Sequence, residues 1–515
     1  MKKRIAAIVL SYILIVVDIL VGILFVPFLK NGLGDVDYGL YKLLLSTASY
    51  LSVLDFGIGG TITRYVVKFK TNNDKKSEEN FLAMGFTIYA VLAVLVLVFA
   101  SIITIFIPTM YAKSINPERM RDAQFIFLIL CSTTAVSLFN HAYNGLLVAY
   151  EKHVYNKLSN LVKIILRVTL IVCSFLWIKN VYVVVLIDFG LAVMLLLVNV
   201  FYTHFKLKCR IKLHSWDKIL FKESLIFTSA ILLQSIINQF NSNVDNIALG
   251  IFSDSTAVVT IYSLALQLYT MYSSLSTSIS TIYFPSISRA VFKGEDDDSV
   301  TRRVVEPSRL QLLILLLALT GFILFGKDFI ILWVGNDYDQ VYWLACILLI
   351  SSTLELSQNT ITSVLKAKNI LMGKTIILAV STVINIIITF SLVPVLGTYG
   401  AVIGTAFSMI FGYGIALNIY YQKRAKINLK IYFKETYKGL WLSTILSFIV
   451  GMPISYFIKV SSGLKGWMFF IIEAAIYVII YVILTYFIGM NKQEKQLLKL
   501  KKKKNKPQTE IEKAK

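Results

Sequence analysis

Several charged side chains sit inside stretches of this chain that are otherwise apolar. Lys163 and Arg167 stand four residues apart in NLVKIILRVTLIV, so a helix there presents both on one face. Arg64 closes another apolar run at its basic end and adds a third cation. A charge at the centre of a bilayer costs about 2.5–3.5 kcal/mol on insertion scales, so each needs a physical reason. The three cations suit an anionic ligand, arginine as a planar fork and lysine as a point charge. They equally suit ion pairs with Asp18 or Asp188, or snorkelling to the interface. Asp18 and Asp188 lie within spans as well, and are expected either to bind and couple protons or sodium ions or to fix helices through ion pairs. Asp245, among the amides of NSNVDNIALG, is read as structural. Asn140 and Asn144 (with His141) and Glu355 and Gln358 (with Ser357) are expected to line a polar cavity. Lys42 and Arg309 lie near span ends, where they are expected to snorkel in structural roles.

Lipid is the solvent that these elements require. Of the 515 residues, 57% are hydrophobic and 16% charged, with a mean hydropathy of +0.72. That leaves too little polar surface to cover a water-soluble core. Apolar runs of roughly 20 residues fit helices crossing a ~30 Å hydrocarbon core, whereas a barrel would show short alternating segments. The fold expected is an all-α polytopic bundle of about fourteen transmembrane helices. The first apolar run, 5–28, is too long for a signal peptide and reads as the first span. Cys131, Cys173, Cys209 and Cys346 are scattered, with neither metal-ligand nor disulfide spacing. The net charge of +22 resides mainly in alternate loops and in the tail, which is positive-inside patterning rather than a nucleic-acid surface.

The chain also repeats itself weakly. YGLYKLLLSTASYLSVLDFGIGGTITRYVVK at 38–68 is echoed by TIYSLALQLYTMYSSLSTSISTIYFPSISR at 260–289, displaced by about 221 residues. NGLLVAYEKHVYNK at 144–157 is echoed by SVLKAKNILMGK at 363–374, displaced by 217–218. The organisation expected is an N-terminal six-helix lobe (1–205), a linker (206–221), a second six-helix lobe in parallel orientation (222–422), two extra helices (423–490) and a basic, disordered tail (491–515). The tail suits anionic lipid headgroups or a solvated end that only fixes orientation. The glycines of DFGIGG at 55–60 have no following lysine in P-loop position and no preceding strand. They read as a bend or a close helix approach.

VPFLKNGLGDVDYGLYKLLLSTASYLSVLDFGIGGTITRYV, with Pro27, Tyr38, Gly39, Asp55, Gly57 and Arg64, resembles the opening pattern of the multidrug/oligosaccharidyl-lipid/polysaccharide (MOP) exporter superfamily, and within it the Wzx-type polysaccharide flippases. FPSISRA at 284–290 and VPVLGTYGAVIGTAFS at 393–408 resemble its second-half motifs. The resemblance covers most of residues 1–490. It implies two six-helix lobes around a cavity and alternating access. The implied cargo is an oligosaccharide repeat unit on undecaprenyl pyrophosphate, destined for capsule, O-antigen or exopolysaccharide. Arg64, Lys163 and Arg167 are then expected to hold the pyrophosphate. The implied setting is a bacterial cytoplasmic membrane, with anionic lipids, protons or sodium ions and polysaccharide assembly enzymes as partners and no cofactor.

Two rivals share the superfamily: a lipid II flippase and a cation-coupled multidrug exporter. A third is a membrane enzyme, either a polysaccharide polymerase or a lipid-linked glycosyltransferase. An enzyme needs positioned reactive groups, and His141, His153, His204 and His214 pair with no nucleophile in the sequence, so a transporter is expected. Charge bias places both termini and the loops 66–80, 205–221 and 421–437 on the cytoplasmic side. A cysteine placed near Lys212 in a cysteine-free background should react with a membrane-impermeant thiol reagent only after the cells are opened. Labelling of intact cells would overturn that topology.

Overall fold

The computed structural model describes residues 2–457, 464–491 and 494–495. These residues form eighteen α-helices and no β-strand. The first nine are α1 (Lys2–Leu33), α2 (Asp35–Ser49), α3 (Ile58–Thr71), α4 (Lys75–Met110), α5 (Met120–Ala149), α6 (His153–Phe175), α7 (Val181–Phe201), α8 (Lys218–Phe252) and α9 (Ala257–Phe292). The next five are α10 (Asp297–Val334), α11 (Asp339–Ser357), α12 (Ile361–Ala367), α13 (Leu371–Leu396) and α14 (Thr398–Phe407). The chain ends with α15 (Leu417–Lys423), α16 (Leu429–Tyr437), α17 (Leu440–Phe457) and α18 (Leu464–Leu484). Most of the tail expected from 491 lies outside the described residues.

The outer faces of these helices are as apolar as their contacts. The most apolar window of Lys75–Met110 has a hydropathy of 3.1, yet only 28% of it is buried inside the protein. Water would not tolerate that surface, so the protein is a multi-pass membrane protein. Among the described residues, twelve helical segments are long and apolar enough to cross a membrane. The expected count of about fourteen is therefore not reproduced on that measure. α8 and α9, of 35 and 36 residues, are not among the twelve. α9 carries a run of serines and threonines that lowers its apolarity. Many hydroxyls elsewhere are satisfied by the carbonyl one turn back, as in Thr47 to Leu43 (2.9 Å) and Ser351 to Ile347 (2.6 Å).

Two compact units result, Met1–Met271 with Met372–Leu417, and Tyr272–Leu371 with Asn418–Lys515. In the first, α5 packs against α2, α3, α4 and α7. The glycines of DFGIGG sit at its closest approach. A Cβ on Gly145 of α5 would fall 2.2 Å from the carbonyl oxygen of Gly59, and Thr63 Oγ1 donates to the Gly145 carbonyl at 2.9 Å. The same motif breaks the span. A 3-10 turn at Tyr50–Asp55 leads into left-handed Phe56 (φ 53°) and Gly57 (φ 69°) before α3 begins. The counterpart stretch in α9 has no glycine and stays helical throughout.

The repeat spacing recurs in the backbone. Left-handed residues pair as Asn73 with Gly294, 221 apart, and as Glu151 with Asn369 and Lys208 with Lys426, each 218 apart. Asp74 and Asp296 follow the first pair and cap α4 and α10, accepting from the N–H groups of Ser77 and Ser299 at 3.0 Å. Hydrogen bonds from those serines hold both carboxyls below the usual carboxylate range.

In the second unit α10 packs on α11, α16, α17 and α18. Arg309 is the clamp, and it is buried rather than snorkelled. Its Nε and Nη2 meet the Glu494 carboxylate at 2.7 and 3.3 Å. Nη1 donates to the carbonyls of Glu435, Thr436 and Lys438, and Nη2 to that of Gly489. Arg309→Leu would leave several buried carbonyls without a donor. The expected loss is about 3–5 kcal/mol, the scale for removing one partner of a buried charged network, read as a lower unfolding midpoint of the solubilised protein. An unchanged midpoint would contradict the clamp.

Candidate functional site

Helix α6 supplies Lys163 and Arg167 one turn apart, α7 supplies Asp188, and α2 supplies Tyr38, Tyr41 and Lys42. The start of α7 is fixed by Asn180, whose side chain accepts the Tyr182 N–H at 3.0 Å. Asp188 then lies about two turns inside and meets the Arg167 fork. Nε reaches Oδ1 at 2.5 Å and Nη2 reaches Oδ2 at 3.0 Å, the bidentate geometry that makes arginine pairs strong. Nη2 also donates to the Tyr41 hydroxyl at 3.2 Å, and that hydroxyl donates to Asp188 at 3.4 Å. The guanidinium carbon lies 5.6 Å from the centroid of the Phe25 ring on α1.

Two lysines flank this pair. Lys163 interacts electrostatically with both Asp188 and Arg167, and Lys42, whose Nζ is 5.4 Å from the Tyr38 ring centroid, interacts with Arg167. Among the described residues neither lysine forms a salt bridge, while Asp188 is committed to Arg167. Three cations against one carboxylate leave an excess of positive charge inside apolar helices. Such a site attracts an anion, more strongly the less water screens it.

The remaining expected site residues are placed as follows. Arg64 is exposed on α3, its guanidinium carbon 5.9 Å from the Tyr65 ring centroid. α3 packs on α4, α5 and α8, whereas α6 packs on α1, α5 and α7. Asp18 is exposed on α1. Asn140 is buried and ties α5 to α7, donating to the Ala192 carbonyl and accepting from Asn199, both at 3.1 Å. Asn144 is half-buried on α5. Gln358 is buried in a reciprocal amide pair with Asn418, at 2.8 and 3.3 Å. Glu355 is half-buried at the end of α11. Asp55 accepts from Tyr89 at 2.7 Å and pairs with His141 Nδ1 at 3.1 Å.

The spacing in the sequence does not single out Lys42 and Tyr41, which join the Arg167 pair from another helix. Asp245 acquires more than the amides around it suggest. It is 2% exposed and accepts from the hydroxyls of Tyr262, Thr389 and Thr405, the last two at 3.1 and 2.7 Å. Asn385 Oδ1 joins through Thr389 at 3.2 Å. The signal was the four-residue spacing of Asn385 and Thr389 on α13, which puts both on one face. A carboxylate ringed by neutral oxygens suits a hard monovalent cation or a proton. Among the described residues no group of three or more His, Cys, Asp or Glu could hold a metal ion.

Comparison with known proteins places the fold. A family model described as "Polysaccharide biosynthesis protein" matches residues 5–291. A probable flippase, AglR of Haloferax volcanii, is 32% identical over 172 residues, 33% of this chain and 35% of that protein. This chain therefore matches about a third of the length of that relative. Among solved structures, the lipid II flippase MurJ in an inward closed conformation superposes with a TM-score of 0.69 at 15% identity, covering 94% of this chain and 98% of that one. An inward-facing multidrug resistance transporter of the MATE family, in the MOP superfamily, superposes with a TM-score of 0.59 at 16% identity, covering 81% and 99%.

The Arg167–Asp188 pair can be tested by a double-mutant cycle. Arg167→Gln and Asp188→Asn should each destabilise the protein by about 1.5–3 kcal/mol, because each breaks the charge-assisted bonds of a half-buried pair. The double variant should be more stable than either single one. Additive losses would mean that the two charges do not share a pair.

Proposed function

Since the chain belongs to the polysaccharide biosynthesis protein family and has the fold of MOP-superfamily transporters, we propose that it is a flippase, not an enzyme. Its cargo would be oligosaccharide repeat units on undecaprenyl pyrophosphate, moved across a bacterial cytoplasmic membrane by alternating access for capsule, O-antigen or exopolysaccharide assembly. Both termini would face the cytoplasm. The observation that carries the reading is the positive excess around Arg167. A diphosphate leaving the headgroup layer must be met by cations, since an unpaired anion in low dielectric is prohibitive. Lys42 and Lys163 each interact with Arg167, and Asp188 orients the guanidinium. Arg64, at the basic end of α3, would receive the diphosphate before it reaches this cluster. Anionic lipids would meet the loop lysines, and polysaccharide assembly enzymes would consume the product.

The same positive excess disfavours an exporter of organic cations. It fits a lipid II flippase as well, since that cargo also carries a diphosphate. The glycan separates the two, and a strain lacking one flippase or the other would report which cargo is moved.

For ion coupling, Asp188 is occupied by Arg167 and Asp18 is exposed, so Asp245 with its ring of hydroxyls is the better candidate for a proton or sodium ion. A coupling ion must bind the two transport states differently.

The test is transport in a flippase-deficient strain. Lys42→Ala/Lys163→Ala and Arg64→Ala/Arg167→Ala should each lower flipping at least ten-fold at equal membrane abundance. The scale follows from charge-assisted bonds of about 1.5–3 kcal/mol each. Arg167→Lys should recover only part, because the fork is lost. Asp245→Asn should remove the dependence on an ion gradient. Full activity in both double variants would show that the cargo's charge is handled elsewhere.

A further inference from the structure

Glu473 is the one acid of α18, and its place differs from that of every acid described so far. It is 0% exposed, and among the described residues neither carboxyl oxygen has a hydrogen-bond partner. It lies about 13 Å along the helix from Leu464 at 1.5 Å per residue. Its neighbours on the same face fix where it points. Phe470 packs on Phe329 of α10 with ring centroids 5.8 Å apart, and Tyr477 packs on Phe325 at 5.5 Å. Glu473 therefore faces α10 between those two contacts, beside half-buried Asp328, with which it interacts electrostatically.

Among the described residues, the elements packed on α18 offer no cation there. On α10, Lys327 turns to Asp339 at 3.7 Å and to the rings of Tyr342 and Trp343. α17 contains no acidic or basic residue, and neither does the turn Thr485–Gly489. On α18 itself, Lys465 lies two turns away in the first turn. The nearby hydroxyls are committed, Tyr477 to Thr320 at 2.7 Å and Tyr481 to the Leu313 carbonyl at 2.9 Å.

A bare carboxylate in such a place would cost several kcal/mol, and a second acid nearby raises that cost. Some species must neutralise it. A metal ion requires several oxygen ligands, as the ring around Asp245 supplies and this seam does not. We propose that Glu473, with Asp328 across the α10–α18 seam, is a proton-binding site: Glu473 holds a proton at neutral pH and releases it only when the seam admits water. The site needs no cargo, so it stands apart from the flippase reading.

Infrared difference spectroscopy of the full-length protein in lipid nanodiscs tests it without requiring transport. At about pH 7, well above the ordinary glutamate range, the wild type should show a protonated-carboxyl carbonyl band that Glu473→Gln removes. Glu473→Asp, which keeps the acid, should restore a displaced band and controls for folding. In Asp328→Asn the band should vanish at a lower pH than in the wild type, because a repelling charge has gone. Identical carboxyl regions in wild type and Glu473→Gln would overturn the proposal. A band whose pH profile ignores Asp328→Asn would overturn the paired site.

Discussion

The bidentate ion pair between Arg167 and Asp188 holds α6 against α7 and consumes the carboxylate with which Lys163 also interacts. Without it, Asp188 would be free to neutralise a lysine and the cluster would lose its positive excess. Tyr41 strengthens the arrangement by bonding both partners, which fixes the plane of the guanidinium. A flexible pair would average its field, whereas a fixed one aims it.

Low dielectric imposes the same demand throughout the molecule, and the chain meets it in distinct ways. Arg309 is met by carbonyls and by Glu494. Asp245 is met by hydroxyls from α9, α13 and α14. Asp55 is met by Tyr89 and His141 beside the broken span. Only the Asp245 ring joins the polar helices α8 and α9, whereas Arg309 sits on α10 and Asp55 in the turn before α3.

Much of this was legible in the sequence. Apolar runs announced a helical membrane protein, and the DFGIGG glycines announced a bend and a close approach, both of which α3 and α5 display. The repeat offsets of 221 and 218 reappear as paired left-handed residues. Helix faces were legible too, which is why Lys163 and Arg167 could be grouped. What spacing cannot give is the partner across a helix interface. The choice of Asp188 over Asp18 depends on how α6 lies against α7 and α1. Lys42 lies beside Arg167, a neighbour that its distance from a span end does not reveal. Arg309 looked able to snorkel until α16 and α17 closed over it. Two of the three hydroxyls around Asp245, those of Thr389 and Thr405, come from residues more than 140 positions away, beyond any local pattern.

The central claim is that the positive excess around Arg167 recognises a diphosphate, and equilibrium binding of a polyprenyl diphosphate to the purified protein in nanodiscs tests it most directly. Wild-type protein should prefer the diphosphate to the matching monophosphate, with binding that weakens as salt rises. Lys42→Ala/Lys163→Ala should weaken diphosphate binding at least ten-fold while the Arg167–Asp188 pair still holds the fold. Diphosphate affinity equal to wild type in that variant would contradict the site.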